Sequence, residues 1–198
     1  ECDNLNSVLY VDTDDPYKPE RLVHSRDRIL WNLQAGFSKE SDKAFMSGWK
    51  NSYNNELFSE DEIREYIENT RIKLAPYLGK EKVALEIGCG SGMISDALSH
   101  LVKEYDGIDI ADGVLEKLRI SNEESGITNM ELFNLAAHEV GKIGRKYDVI
   151  LSSSVTEYFS GYNYLRSVVR ECISSVSDGG VIYFGDVFDL DLRDQYIA

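Results

Sequence analysis

The sequence predicts a doubly wound α/β fold, in which helices cover both faces of a mostly parallel sheet. Short apolar runs alternate with longer segments of helical periodicity from about residue 80 onward. One of these runs, at 83–87, leads directly into a loop with glycine at positions 88, 90 and 92. Continuous apolar strands are typical of sheets buried on both faces, and a glycine-rich turn after such a strand is typical of a ligand-binding loop.

The predicted elements can be justified in chain order. Strands are predicted at 82–87, 104–110, 129–135, 147–152 and 180–185. Helices are predicted between them at 91–102, 112–122 and 162–177. Upstream, 20–34 and 39–48 have helical patterns, and a further helix that Ser59 and Glu62 begin as a capping box ends at Pro76. We therefore divide the chain into an extended acidic arm (1–19), a helical lead-in (20–80) and an α/β core (81–198).

Composition narrows the class of protein. The chain has 198 residues, 42% of them apolar, which is enough for one sizeable core. A net charge of −14 would repel phosphate backbones and anionic lipid, so we expect neither nucleic acid nor a membrane as partner. No apolar run is long enough to span a bilayer, and no leader pattern opens the sequence, which predicts a cytoplasmic protein. Three scattered cysteines without histidines at ligand spacing predict no metal site.

The glycine-rich loop favours a cationic ligand over a dinucleotide. A dinucleotide fingerprint would have its third glycine at position 93, which is Met93 here. Glu86 lies just before the loop, where its carboxylate would repel a pyrophosphate and attract an ammonium group. Asp109 ends the next predicted strand about twenty residues after the first glycine, where a ribose-binding acid belongs. The sequence thus predicts a ligand with both an ammonium group and a ribose.

Four segments together resemble a known family. They are Trp49-Lys50-Asn51-Ser52-Tyr53, the glycine motif, Ser154-Val155-Thr156-Glu157-Tyr158-Phe159 and Gly185-Asp186-Val187. In combination they resemble the class I S-adenosylmethionine-dependent methyltransferase domains embedded in nonribosomal peptide synthetases and hybrid assembly lines. The resemblance runs from about residue 45 to 195 and implies a Rossmann-like fold with S-adenosylmethionine as cofactor and S-adenosylhomocysteine as product. Such domains usually have two further strands, so we expect a C-terminally incomplete core that belongs with other domains of a larger polypeptide.

The resemblance also implies roles for individual residues. It places Glu86, Gly88, Cys89 and Gly90 around the methionine moiety, Asp109 on the ribose, and Ile110, Ala137 and His138 near the adenine; Ser152 faces the cofactor and Tyr53 covers it. The chain departs from the family where Ser153 and Lys50 replace asparagines and Glu157 replaces a glutamine. These three positions lie near the methyl acceptor.

The expected chemistry is methyl transfer to a nucleophile. An amine must lose a proton before it can attack, and Glu157 is the candidate base, with Ser153 as a second candidate catalytic residue. A hydroxyl acceptor needs a stronger base, for which His138 is the only nearby candidate. Tyr158 and Phe159 are expected to wall the substrate pocket. We expect N-methylation of an aminoacyl or peptidyl group tethered to a carrier protein; the alternatives are a free-standing small-molecule N- or O-methyltransferase and a non-catalytic scaffold of the same fold.

Overall fold

The computed structural model describes residues 26–33, 56–187 and 191. These residues contain a five-stranded sheet in the order β3-β2-β1-β4-β5, and every neighbouring pair is parallel. The strands are β1 (Val83–Ile87), β2 (Glu104–Asp109), β3 (Met130–Asn134), β4 (Tyr147–Ser153) and β5 (Val176–Gly185). The predicted doubly wound fold is confirmed, and all five described strands lie where the sequence pattern placed them.

Helices connect the strands and cover the sheet. Residues 26–33 are helical (α1), and the other α-helices are α2 (Glu60–Leu74), α3 (Met93–Leu98), α4 (Asp112–Ser125) and α5 (Tyr162–Ser175). Short 3-10 helices span Ala75–Tyr77, Ser99–Leu101, Ala137–Ile143 and Thr156–Tyr158. The predicted arm at 1–19 and the predicted helix at 39–48 lie outside the described residues, so the division of the chain into three regions stays a prediction.

Two predicted elements differ from the structure by more than shifts of one to three residues at their ends. β5 begins at Val176, four residues before the predicted start, because the pairing with β4 shifts from Tyr147↔Val176 to Val149↔Val181. The extra residues form an irregularity that includes Gly179 at φ 75°, a conformation that glycine adopts without strain. The predicted helix 91–102 is divided into α3 and a 3-10 turn at Ser99–Leu101.

α2 begins with the predicted capping box. Ser59 Oγ accepts a hydrogen bond from the backbone N–H of Glu62 at 3.3 Å, and the Glu62 carboxylate accepts one from the backbone N–H of Ser59 at 2.8 Å. At the other end of the helix, Leu74 is buried in the core together with Ala84 of β1. The helix is thus fixed at both ends, which holds its middle, including Tyr66, against the sheet.

The core lies on both faces of the sheet because side chains alternate along each strand. Leu85 and Ile87 of β1 pack with Val168 and Cys172 of α5 on one face. Ala84 packs with Leu98 of α3 on the other face. Glu86, between Leu85 and Ile87, therefore points to the same face as Ala84.

Candidate functional site

A cavity opens beyond the carboxyl ends of β1, β2 and β4, the usual ligand position in a doubly wound sheet. Its floor is the loop that joins β1 to α3, and its walls come from the ends of β2, β3 and β4. Residues of α1 and α2 complete the wall on the far side. The cavity is therefore built from segments that are distant in sequence.

Glycine is required in the β1–α3 loop for two reasons. Gly88 has φ 74° and Gly92 has φ 86°, which is left-handed backbone that other residues rarely adopt. A Cβ atom on Gly88 would lie 2.4 Å from Cγ2 of Val155, and one on Gly92 would lie 2.4 Å from Cδ1 of Leu118. The glycines thus let the loop pass close to β4 and α4 while its backbone faces the cavity.

Glu86 is a buried carboxylate at the base of the cavity, with 3% of its surface exposed. Burial raises its pKa to about 8, and the charges of Asp109 and Asp96 add to the rise. The hydroxyl of Tyr105 donates a hydrogen bond to Glu86 Oε2 at 2.7 Å, which opposes the rise without removing it. No basic side chain in the described parts of the chain forms an ion pair with Glu86, so a cationic ligand would supply the missing charge.

Tyr105 was not identified from the sequence. It lies in β2 and is completely buried. A buried tyrosine hydroxyl needs a hydrogen-bond partner. From the sequence, this requirement could have indicated that Tyr105 contacts a polar side chain in the core. The hydroxyl holds one oxygen of Glu86 and leaves the other available to a ligand.

Asp109 ends β2 and ties two loops together. Its Oδ2 accepts from the backbone N–H of Gly90 at 3.0 Å, and its Oδ1 accepts from the backbone N–H of Ala111 at 2.8 Å. Burial raises its pKa, and these two hydrogen bonds oppose the rise. Each carboxylate oxygen can accept a second hydrogen bond, so Asp109 can still bind hydroxyl groups in the cavity.

The structure brings most of the predicted site residues together. Tyr158 and Phe159, predicted as walls of the substrate pocket, line the cavity. The predicted cofactor and catalytic residues that also line it are Glu86, Gly88, Cys89, Gly90, Asp109, Ile110, Ala137 and Ser153. The Cys89 side chain is buried among Leu115 and Leu118 of α4, and burial raises the pKa of its thiol. Cys89 therefore serves the packing of α4, and its backbone is the part available to a ligand.

Other predicted residues do not line the cavity. His138 turns away, and its Nδ1 lies 3.1 Å from the hydroxyl of Tyr164, which does line the wall. Ser152 is buried within β4, one residue before the cavity wall. Glu157 is exposed, although partial burial of its carboxyl raises its pKa. Tyr53 and Lys50 lie outside the described residues.

α1 supplies residues that the sequence did not indicate. Asp27 and Trp31 line the cavity, and the ring of Trp31 meets that of Tyr158 edge to face with centroids 5.0 Å apart. Arg28 donates to Asn134 Oδ1 at 2.9 Å, which fastens the helix to the end of β3. The sequence predicted this helix, but helical periodicity carries no information about where a helix docks.

The described residues contain neither a cluster of metal-ligating side chains nor a membrane-spanning helix. Within residues 26–33, 56–187 and 191, no group of three histidine, cysteine or acidic side chains is placed to hold a metal ion. No helix in the same residues is long and apolar enough to cross a membrane.

The chain is similar to proteins of a known family. A family described as "Methyltransferase domain" matches residues 85–182, the stretch from β1 to β5. The chain belongs to the S-adenosylmethionine-dependent methyltransferases. Its similarity to the N-methyltransferase NodS from Bradyrhizobium japonicum in complex with S-adenosylhomocysteine, at 16% identity and a TM-score of 0.62, concerns the fold, and covers 84% of this chain and 78% of that one.

Two curated relatives of this methyltransferase are much longer proteins, and the chain matches only a short segment of each. A probable nonribosomal peptide synthetase, CymA of Salinispora arenicola, is 31% identical over 79% of this chain and 2% of its own length. Chondramide synthase of Chondromyces crocatus is 27% identical over 100% of this chain and 5% of its own length. The chain therefore spans a small fraction of each of these two relatives.

The residues present in this methyltransferase fit its cofactor. The ammonium group of S-adenosylmethionine would meet the unpaired, buried carboxylate of Glu86. Its ribose hydroxyls would find the unused acceptor positions of Asp109. The buried hydroxyl of Ser160 lines the same cavity and has no hydrogen-bond partner among the described residues. When bound, the cofactor supplies an electrophilic methyl group.

Proposed function

We propose that this chain methylates the nitrogen of an aminoacyl or peptidyl group carried on a carrier protein, and that it works with other domains of a larger polypeptide. The observation that carries the proposal is the similarity to segments of nonribosomal peptide synthetases over most of the chain. Peptide assembly on such enzymes presents aminoacyl groups as thioesters, whose free α-amino group is the natural nucleophile.

The side chains around the cavity favour an amine over a hydroxyl acceptor. A hydroxyl group needs a strong base to become a nucleophile, and histidine is the usual one. No histidine lines the cavity in the described residues, and the nearest predicted candidate, His138, is directed toward Tyr164. An α-amino group titrates near neutral pH, about 7.7–8.0, so it needs only a weak proton acceptor. The side chains that line the cavity therefore favour nitrogen as the acceptor atom.

Several residues that line the cavity have proposed roles that follow from their positions. Glu86 binds the ammonium group and Asp109 the ribose of the cofactor. Trp31 and Tyr158 meet edge to face over the cavity, where they would exclude water from the reacting groups. Positioning of two reactants in this way is worth about 7–11 kcal/mol of the barrier in well-oriented reactions. Ser153 lies on the wall beside the acceptor, whereas the exposed Glu157 is the weaker candidate for the base.

The test has a binding part and a turnover part. Calorimetry with S-adenosylmethionine on the wild type, Asp109→Asn and the exposed control Asp178→Asn should give loss of affinity only for Asp109→Asn. The acceptor is then sought by mass spectrometry with carrier-bound aminoacyl thioesters, free amino acids and phenols. A 14 Da gain on the thioesters alone supports the proposal.

The other outcomes identify the alternatives. Methylation of free amino acids or phenols in preference to thioesters would establish a small-molecule methyltransferase. Cofactor binding without methylation of any acceptor would favour a non-catalytic scaffold.

A further inference from the structure

Two residues outside the cofactor contacts have unusual backbone. Ser154 and Asp186 are the non-glycine residues of the described chain with positive φ, at 56° and 55°. Left-handed backbone costs an L-residue about 1–2 kcal/mol, and such strain is concentrated at functional sites. They follow the ends of the neighbouring strands β4 and β5, so both strained positions lie at the ligand edge of the sheet.

The side chains of these two residues are joined to a third. Ser154 Oγ lies 2.6 Å from Asp186 Oδ2 and 3.0 Å from the hydroxyl oxygen of Tyr66. A carboxylate only accepts, so Ser154 donates its proton to Asp186 and can accept one from Tyr66. Tyr66 and Ser154 line the cavity, whereas Asp186 is exposed. The chain of hydrogen bonds therefore runs from the cavity wall to solvent.

The sequence holds this arrangement by a close approach of β4 and β5. The backbone N–H of Ser154 donates to the carbonyl of Gly185 at 3.3 Å. A Cβ atom on Gly185 would lie 2.5 Å from Ser153 Oγ, so only glycine fits before Asp186. The Gly185-Asp186 pair thus brings a carboxylate to the end of β4 that a bulkier residue at 185 would move away.

We propose that Tyr66, Ser154 and Asp186 form a proton relay that removes a proton from the acceptor amine; this rests on the proposed amine acceptor. One N–H bond of the ammonium group breaks as an O–H bond forms on Tyr66, whose own proton passes to Ser154 while that of Ser154 passes to Asp186. No electrons are transferred between molecules, and the electron pair of the broken N–H bond stays on the nitrogen as the lone pair that attacks the methyl group. Asp186 releases the proton to water.

Tyr66 alone would be a poor base. Burial raises the pKa of Tyr66, so its phenolate is scarce, and a coupled transfer avoids forming it. Glu86 acts electrostatically on Tyr66 from β1, and Asp186 shares its surroundings with Glu157 and Tyr158. These neighbours are carboxyl and phenol groups, and none of them is a basic side chain.

The test uses variants that remove one link and keep the backbone. Tyr66→Phe removes the first hydroxyl, Ser154→Gly removes the second and tolerates φ 56°, and Asp186→Asn keeps a residue that adopts left-handed backbone readily. Asp178→Asn is the matched control, because Asp178 is an exposed aspartate of β5, the strand that Asp186 follows. A cooperative urea transition should show that each variant is folded, and calorimetry should give wild-type affinity for S-adenosylmethionine in the control Asp178→Asn.

The first measurement needs no turnover. Exchange of the Tyr66 hydroxyl proton with water is followed by NMR on protein labelled at tyrosine Cζ. We expect exchange to slow about tenfold in Ser154→Gly and Asp186→Asn and to be unchanged in Asp178→Asn, because a carboxylate-linked hydroxyl chain catalyses exchange. Unchanged exchange in both relay variants overturns the proposal.

The second measurement is turnover with the amine acceptor. We expect kcat to fall about 10²- to 10⁴-fold in each relay variant, as for loss of a general base, with the acceptor KM within about twofold of wild type. Ser154→Gly combined with Asp186→Asn should be no slower than the slower single variant, and formate should restore Asp186→Gly. Multiplicative losses without formate rescue would refute the relay.

The two measurements separate the relay from the proposed function. If the wild type methylates no amine but Tyr66 exchange still depends on Ser154 and Asp186, the acceptor assignment fails and the relay stands. If the wild type methylates amines and neither measurement responds to the variants, the relay fails and the function stands.

Discussion

Replacement of Glu86 by glutamine should stabilise the fold and abolish its binding of a cationic ligand. Burial raises the Glu86 pKa from 4.5 to about 8, so the folded protein holds this group less favourably in its ionised form than the unfolded chain does. The contribution of Glu86 to the free energy of unfolding is therefore greatest below pH 4.5. It falls by about 1.4 kcal/mol per pH unit between the two pKa values and is constant above pH 8. Integrated to pH 7, the cost is about 3 kcal/mol.

Glutamine does not ionise, and its carbonyl oxygen can accept the hydrogen bond that Tyr105 donates to Glu86. We expect urea denaturation to give Glu86→Gln about 3 kcal/mol more stability than wild type at pH 7 and nearly equal stability at pH 4.5. Glu116→Gln is the control, since its side chain is 66% exposed and should change stability by less than about 1 kcal/mol.

Calorimetry gives the complementary result. With a pKa of about 8, most of the Glu86 carboxyls are protonated at pH 7 before binding. Capture of an ammonium group should therefore release close to one proton per S-adenosylmethionine, measurable from buffers of different ionisation enthalpy. Glu86→Gln should release none and bind weakly. Equal stability of wild type and Glu86→Gln at pH 7, or full affinity of the variant, would show that Glu86 is not the ammonium site.

Three further predictions follow from the contacts. Gly88→Ala should weaken S-adenosylmethionine binding in calorimetry and destabilise the fold by about 1–3 kcal/mol, because the new Cβ would lie 2.4 Å from Val155; wild-type affinity would contradict this. Trp31→Ala should open the cavity and raise the cofactor Kd, read from the same titration; an unchanged Kd would contradict this. Arg145→Ala leaves the buried Asp106 without its basic partner and should cost about 1–3 kcal/mol at pH 7 and less at pH 4, where Asp106 takes up a proton; a pH-independent loss in urea unfolding would show that the ion pair is not the cause.

The sequence predicted the elements of the site more reliably than its three-dimensional closure. The positions of Glu86 and Asp109 could be predicted because each lies at the carboxyl end of a buried strand, and parallel strands bring such ends to one edge of the sheet. His138 could not be placed in the same way. Its orientation depends on Tyr164, 26 residues later on α5, and a contact between two elements is not encoded in the pattern of either one.

Local sequence patterns were enough to predict the doubly wound sheet, the glycine loop and the two acids, because periodicity, glycine spacing and strand ends are local properties. The packed structure was needed to find that α1 contributes Trp31 to the cavity, that Tyr105 hydrogen-bonds Glu86, and that Ser154 joins Tyr66 to Asp186. Each of these contacts joins residues on separate elements. Their geometry depends on how helices pack on the sheet, which is set by the whole core.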